Sequence, residues 1–345
     1  MISAADGVLA LASDLADEVL FPDAMRVDRL DVLPAAHLNA LAAAGLYGAP
    51  APAEAGGLGL ELTEVGRVVE ELAGGCLATA FVFIQHFRLL MTLAAAGAPP
   101  ALRDRWLASA CQGRTRGGVV HAGMIPGPPQ LRAEPAEGGE GGWRLDGTAP
   151  WVTGWGLIDL VQVLARGPDD TVVSLIMDAA AQPGLTMTRQ RLSAVDASVT
   201  VQLGFDGVVI PPGRFVDQVP FDPAATLQPA GLRINGSLAL GLARRCCRML
   251  GPGPLDDEVT TCRARLDAAL EAGPGPMADA RAAASELALR AAAALAVRDG
   301  SRAVTVDQHA QRLAREAVFL LVFGSRPRIK SALLERLGAV PSGPA

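Results

Sequence analysis

Side chains able to exchange protons near neutral pH are few in this chain and stand far apart. There are four histidines. His121 sits inside the apolar run Gly117–Ile125, where a histidine satisfied by its own strand is expected. His309 shares a helical stretch with Arg312 and Glu316 at turn spacing, so it can act as a base or proton relay; an exposed or interfacial histidine is the plainer reading. Asp256, Asp257 and Glu258 fall at a helix start, where acids favour the helix dipole rather than catalysis. Arg244, Arg245 and Arg248 suit phosphate or a neighbouring subunit, because a guanidinium fork pairs with phosphate and carboxylate alike. The cysteines, Cys76, Cys111, Cys246, Cys247 and Cys262, are odd in number and form no CxxC pair. They read as buried, inert thiols, without a disulfide framework or a metal site.

Three kinds of segment must position these residues. Residues 1–113 read as helical: Val8–Leu20 and Pro34–Ala44 carry apolar residues at helical spacing, and Gly45 stops the second. After a Pro/Gly loop at 50–59, Thr63 is expected to cap a helix with Val65, Val68, Val69 and Leu72 inside and Glu64, Glu70 and Glu71 on a polar face. Ala78–Ala96 is nearly all apolar and therefore buried on every side. Residues 114–216 change to short Val/Ile/Leu/Thr runs: Gly117–Ile125, Trp143–Thr148, Leu157–Ala165, Thr171–Met177, Gly184–Arg189 and Val199–Ile210. Gly, Pro and Asp turns separate them at all-β spacing. Glu137–Gly142 reads as a flexible hairpin or loop, with no helix behind it to make a phosphate cradle. Residues 217–345 are helical again, at about 232–251, 255–272, 277–299, 303–323 and 327–338, as in an antiparallel bundle.

Composition narrows the function. The net charge of −6 over 345 residues argues against a partner with a nucleic-acid backbone. No uninterrupted apolar run reaches the ~20 residues of a membrane span; Leu287–Val297 comes nearest and contains Arg290. Met1–Leu20 carries Asp6, Asp14, Asp17 and Glu18 and lacks a basic leader, so a cytoplasmic protein is expected.

Several motifs converge in order. Gly45-Leu-Tyr-Gly48, Pro52, Gly56-Gly-Leu-Gly59 and Val68-Val-Glu-Glu-Leu-Ala73 resemble the N-terminal helical domain of acyl-CoA dehydrogenases. Leu145-Asp-Gly-Thr-Ala-Pro-Trp-Val-Thr-Gly154 is similar to that family's strand pair ending in Trp-Ile/Val-Thr. Asp159–Arg166, Pro183-Gly184 and Leu203–Pro211 resemble the strands that follow. The resemblance implies an α+β fold with a helical domain at 1–113, a β-barrel or sheet domain at 114–216 and a four-helix bundle at 217–345. It also implies FAD and an acyl thioester, carried on CoA or on a carrier protein. In that chemistry a carboxylate removes the α proton while flavin N5 accepts the β hydride.

Carried over by motif, Trp151, Val152 and Thr153 lie against the flavin, with the Thr153 hydroxyl at its N5/O4 edge. His121, Gly123, Met124 and Ile125 form the facing segment. There Met124 replaces a threonine, and the backbone N–H groups of Gly123 to Ile125 remain as donors. The two positions where the family places its glutamate base hold Asn235 and Phe323, which leaves His309 as the candidate base. The Arg-x-x-Phe-Gly segment that reaches a neighbouring subunit's FAD is replaced by Gly251-Pro-Gly-Pro254. Three functions fit these residues: an FAD oxidoreductase of acyl thioesters with an atypical base, a flavin monooxygenase, or a half-site subunit of a hetero-oligomer. Apolar helices in the bundle further predict a homodimer or tetramer.

Overall fold

The computed structural model describes residues 4–136 and 141–339, so most of the expected Glu137–Gly142 loop lies outside the described residues. Helix α1 (Ala4–Leu15) runs through a wide turn at Ala16–Leu20 into α2 (Phe21–Val27). Helix α3 (Ala35–Ala43) stops at Gly45, whose φ of +71° suits a residue without Cβ. Helices α4 (Leu62–Gly75), α5 (Leu77–Ala94) and α6 (Pro100–Cys111) follow. The cap of α4 is Glu61 rather than Thr63: the Glu61 N–H donates to the Glu64 carboxylate at 2.8 Å, in a reciprocal capping box. Among the described residues α5 is the one helix long and apolar enough to cross a membrane, in place of Leu287–Val297, and 72 % of it is buried inside the protein.

The central part is one mixed sheet of eight strands: β1 (Gly117–Val120), β2 (Leu131–Pro135), β3 (Trp143–Val152), β4 (Leu160–Arg166), β5 (Thr171–Asp178), β6 (Leu185–Arg189), β7 (Val201–Ile210) and β8 (Phe215–Pro220). Their order is β6-β7-β3-β2-β4-β5-β8, and β1 runs parallel to β4. β4 is buried along its whole length because helices cover the face opposite the sheet core: Leu89, Leu90 and Leu93 of α5 pack with Leu160 and Ile176. The edge strand β8 pairs with β5 and continues past residue 216.

The C-terminal helices are α7 (Pro229–Leu250), α8 (Pro254–Ala272), α9 (Pro274–Asp299), α10 (His309–Val322) and α11 (Pro327–Arg336). α7 is central, packing on α4 from the N-terminal part and on the alanine-rich α9. The α4–α7 crossing is close, since a Cβ on Gly241 would stand 2.3 Å from the Glu70 carbonyl oxygen. Glu70 and Glu71 do not form a solvated face but are buried in this crossing. Arg263 and Arg233 donate to Glu70 at 2.8 and 3.5 Å, and Arg244 and Arg248 pair with Glu71.

Candidate active site

One turn of α5 joins the two halves of the site. The Phe81 ring packs edge-on against Phe323 at 4.8 Å and against Phe319 at 5.1 Å. The next residue, Val82, faces the Trp151–Gly154 turn, where a Cβ on Gly154 would lie 3.5 Å from Val82 Cγ1. β1 passes the same turn, and a Cβ on Gly118 would lie 3.5 Å from the Thr153 carbonyl oxygen.

That turn ends β3. Val152 pairs with Val201 and is fully buried, pointing into the sheet core. Trp151 sits at φ +64°, and its indole is 64 % exposed, so it is not a core residue. Thr153 is buried, and its hydroxyl lies 3.1 Å from that of Thr200. An open aromatic face beside a buried hydroxyl suits a planar heterocycle with polar atoms on its edge, so these residues fit a flavin ring.

The facing segment forms a short 3₁₀ turn, Ala122–Met124. Most of its polar backbone serves the protein itself. The Met124 N–H donates to the His121 carbonyl at 2.9 Å, so it is not a free donor as expected. Arg166 donates to the Gly123 and Ile125 carbonyls at 3.1 and 3.3 Å, and its guanidinium lies over Phe221. The Met124 side chain packs on the small apolar cluster of Val119, Leu164 and Val172. Gly123 is required here by close approach, since a Cβ would come within 2.4 Å of the Ala165 backbone. His121 keeps an open face to solvent while protein atoms crowd its other sides. That crowding, with the nearby charges of Arg88 and Arg326, pushes its pKa down to about 4. The imidazole is therefore neutral at pH 7.

Asn235 and Phe323, the positions at which the resemblance implies a base, come together in space. A Cβ on Gly324 would stand 3.3 Å from Asn235 Nδ2, and Phe323 is the adjoining residue. Phe319 stacks on Phe323 at 5.5 Å, so aromatic rings line this end of α10. Arg281, fully buried, holds this end of α10 by donating to the Leu320 and Phe323 carbonyls at 3.1 and 3.4 Å.

His309 belongs elsewhere. It opens α10 while Phe323 follows its end, which separates them by roughly 20 Å at 1.5 Å per residue. Its ring stacks on Phe21, and Nδ1 accepts from Arg312 at 3.1 Å. Burial and the Arg312 and Arg245 charges push its pKa down to about 4. Arg312 and Glu316 form a buried i,i+4 pair at 2.7 Å within α10, so in place of the expected relay there is an ion pair inside the helix, with the His309–Phe21 stack joining it to α2.

Thr200, which the sequence offered only as part of the Val199–Ile210 run, and Ser198, which it left outside every expected strand, stand next to Thr153: Ser198 Oγ lies 3.2 Å from Thr200 Oγ1. The cysteines are free and buried, and burial pushes Cys246 up to about 12.

Residues 5–114 match the family described as "Acyl-CoA dehydrogenase, N-terminal domain". The chain is 27 % identical over 241 residues to benzylmalonyl-CoA dehydrogenase of Aromatoleum aromaticum, covering 66 % of this chain and 62 % of that protein. It spans about three fifths of the length of the curated relatives it matches first. In fold it is similar to butyryl-CoA dehydrogenase from Megasphaera elsdenii, with a TM-score of 0.78 at 18 % identity and 98 % of each chain covered. It is also similar to a nitrososynthase from Micromonospora carbonacea var. africana, with a TM-score of 0.77 at 22 % identity, covering 98 % of this chain and 96 % of that one.

Proposed function

Because this chain belongs to the acyl-CoA dehydrogenase family, we propose that it is a flavoprotein that binds FAD at the Trp151–Thr153 turn and acts on an acyl thioester without a base at positions 235 or 323. The observation that carries this reading is the single turn of α5 on which Phe81 meets Phe323 and Val82 meets the Trp151–Gly154 turn. This supports the reading that residues 151–153 and positions 235 and 323, which the resemblance assigns to the flavin edge and the base, border one site; neither Asn235 nor Phe323 carries a carboxylate.

FAD, when bound, supplies the hydride acceptor. Trp151 offers it an aromatic face, and Thr153 offers a hydroxyl at the ring edge. The Asn235 amide can hydrogen-bond a thioester carbonyl but cannot take a proton near neutral pH. The aromatic wall of Phe81, Phe319 and Phe323 excludes water and takes an apolar acyl chain. Removal of an α proton then depends on a base from outside these positions, so the chain is competent as a homodimer or tetramer only if a neighbour donates one. In a hetero-oligomer with an intact acyl-CoA dehydrogenase-like subunit it serves as the half-site partner. The likeness to a nitrososynthase favours a second reading, a flavin monooxygenase that needs no α-proton base.

The test is anaerobic mixing of FAD-loaded protein with acyl-CoA thioesters, following bleaching of the flavin band. The native chain is expected to hold FAD and not to bleach, whereas Asn235→Glu is expected to bleach at least 10²-fold faster, within the range of a positioned general base. Rapid bleaching of the native protein would mean that a base is supplied from elsewhere, a neighbouring copy included, and would overturn the half-site reading. Failure to take up FAD would overturn the flavin reading itself.

A further inference from the structure

The Thr153 hydroxyl is the end of a series rather than a lone side chain. Ser198 Oγ, Thr200 Oγ1 and Thr153 Oγ1 follow one another at 3.2 and 3.1 Å, and the three residues are 0 %, 2 % and 3 % exposed. A hydroxyl has one proton and two lone pairs. If Ser198 donates to Thr200 and Thr200 donates to Thr153, the Thr153 proton has no acceptor in the series and must point out of it. A buried donor left unpaired is costly, so this order suits a site completed by a ligand acceptor.

The backbone is bent to build this series. In an extended strand, residues two apart are separated by roughly 6.6 Å, too far for their hydroxyls to meet. Val199, between Ser198 and Thr200, sits instead at φ +49°, and Val195 sits at φ +54°. β-Branched residues in the left-handed region are true outliers, and such strain persists only where the surroundings impose it. Trp151, across from them, is strained in the same sense. The clamps are present: the Leu33 N–H donates to Ala197 O at 2.8 Å, the Leu192 N–H to Asp196 Oδ1 at 2.8 Å, and the Gly154 N–H to Ser198 O at 2.9 Å. Among the described residues, the other non-glycine positions with positive φ are Asp169 and Asp170, in the turn between β4 and β5.

We propose that Ser198 and Thr200 are positioning residues, held by the strained Val195–Val199 loop, that aim the Thr153 O–H at an acceptor atom on the edge of the bound flavin ring. This rests on the flavin reading above. Thr200 touches no ligand in this scheme and acts through Thr153. A donor so aimed favours the electron-rich reduced ring over the oxidised one.

The experiment compares native protein with Thr200→Val, Thr200→Ser and Ser198→Ala, each reconstituted with FAD. The readouts are the flavin dissociation constant, the visible absorption band and the midpoint potential. Thr200→Val is expected to bind FAD up to about tenfold more weakly, within the worth of one hydrogen bond. Its midpoint potential is expected to fall by up to ~30 mV, a tenfold change for a two-electron couple, with a shifted visible band. Thr200→Ser restores the native values, because it keeps the hydroxyl. If Thr200→Val does not fold, Ser198→Ala carries the same test with a smaller shift. Native potential and spectrum in Thr200→Val, or equal loss in Thr200→Val and Thr200→Ser, overturns the positioning role while the flavin reading stands. No uptake of FAD by the native chain overturns both.

Discussion

His86, on α5, is 1 % exposed, and its Nδ1 accepts the Gly117 N–H at 3.0 Å. That bond requires a lone pair, so the ring is neutral in the native state, and burial pushes its pKa down to about 3. In the unfolded chain the same ring titrates near 6.5. The folded state therefore binds fewer protons, and its stabilisation is full above pH 6.5 and is lost as the pH falls toward 3. The expected cost is about 1.4 kcal/mol for each pH unit below 6. His86→Gln should flatten the urea-denaturation stability profile between pH 6 and 4 relative to native protein; an unchanged slope would place the acid sensitivity elsewhere. At this scale the sequence was informative where the chemistry is carried by residue type. Asn235 and Phe323 cannot be bases in any fold. It was uninformative about His86 and Thr200, whose roles come from neighbours that are far away in the chain.

Elements with a strong apolar period were legible. α4 and α7 follow it, α5 and α9 were legible instead as long apolar and alanine-rich runs, and Gly45 marks a helix end because its φ of +71° is costly for residues with a Cβ. β2 (Leu131–Pro135) and β8 (Phe215–Pro220) were not legible, since their charged, half-exposed sequences gain strand structure from the ladders of β3 and β5. The run from Val199 read as a regular strand, whereas its first residue is in the left-handed region and the strand begins at Val201. The close crossing of α4 and α7 yields a test at this scale. Gly241→Ala gains about 1 kcal/mol of helix propensity but drives a methyl into the Glu70 carbonyl and Ala73. A net loss of about 2 kcal/mol is expected from overpacking, read as a lower urea midpoint at unchanged slope. A raised midpoint would mean that the helices can separate without penalty.

Over the whole molecule, α7 and α8 hold the N-terminal helices through charge pairs, of which those at Glu70 are buried. Arg233 and Arg263 meet Glu70, and Arg245 and Arg248 meet Asp17 of the turn after α1. Breaking a buried pair leaves an unpaired charge, which typically costs 3–5 kcal/mol. Arg244, Arg245 and Arg248 are thereby committed to carboxylates of their own chain rather than to phosphates. The C-terminal region exposes Val297 on α9, Val304 and Val306 in the connection to α10, and Val318 and Val322 one turn apart on α10. Valines left open in this number favour a covering partner. Sedimentation at micromolar concentration is expected to show two or four chains together; a monodisperse monomer would count against assembly.

Residue types, their period and the order of the motifs sufficed for the helix–sheet–helix layout and for the resemblance to acyl-CoA dehydrogenases, and residue type alone shows that Asn235 and Phe323 carry no carboxylate, because each of these is written locally along the chain. Tertiary structure alone decided that Phe81 and Val82 join the two halves of the site, that His309 is about 20 Å from Phe323, and that Ser198 and Thr200 stand behind Thr153. The physical reason is that hydrogen bonds, ring contacts and desolvation act over a few ångströms, between residues whose separation in sequence reaches 242 positions from Phe81 to Phe323.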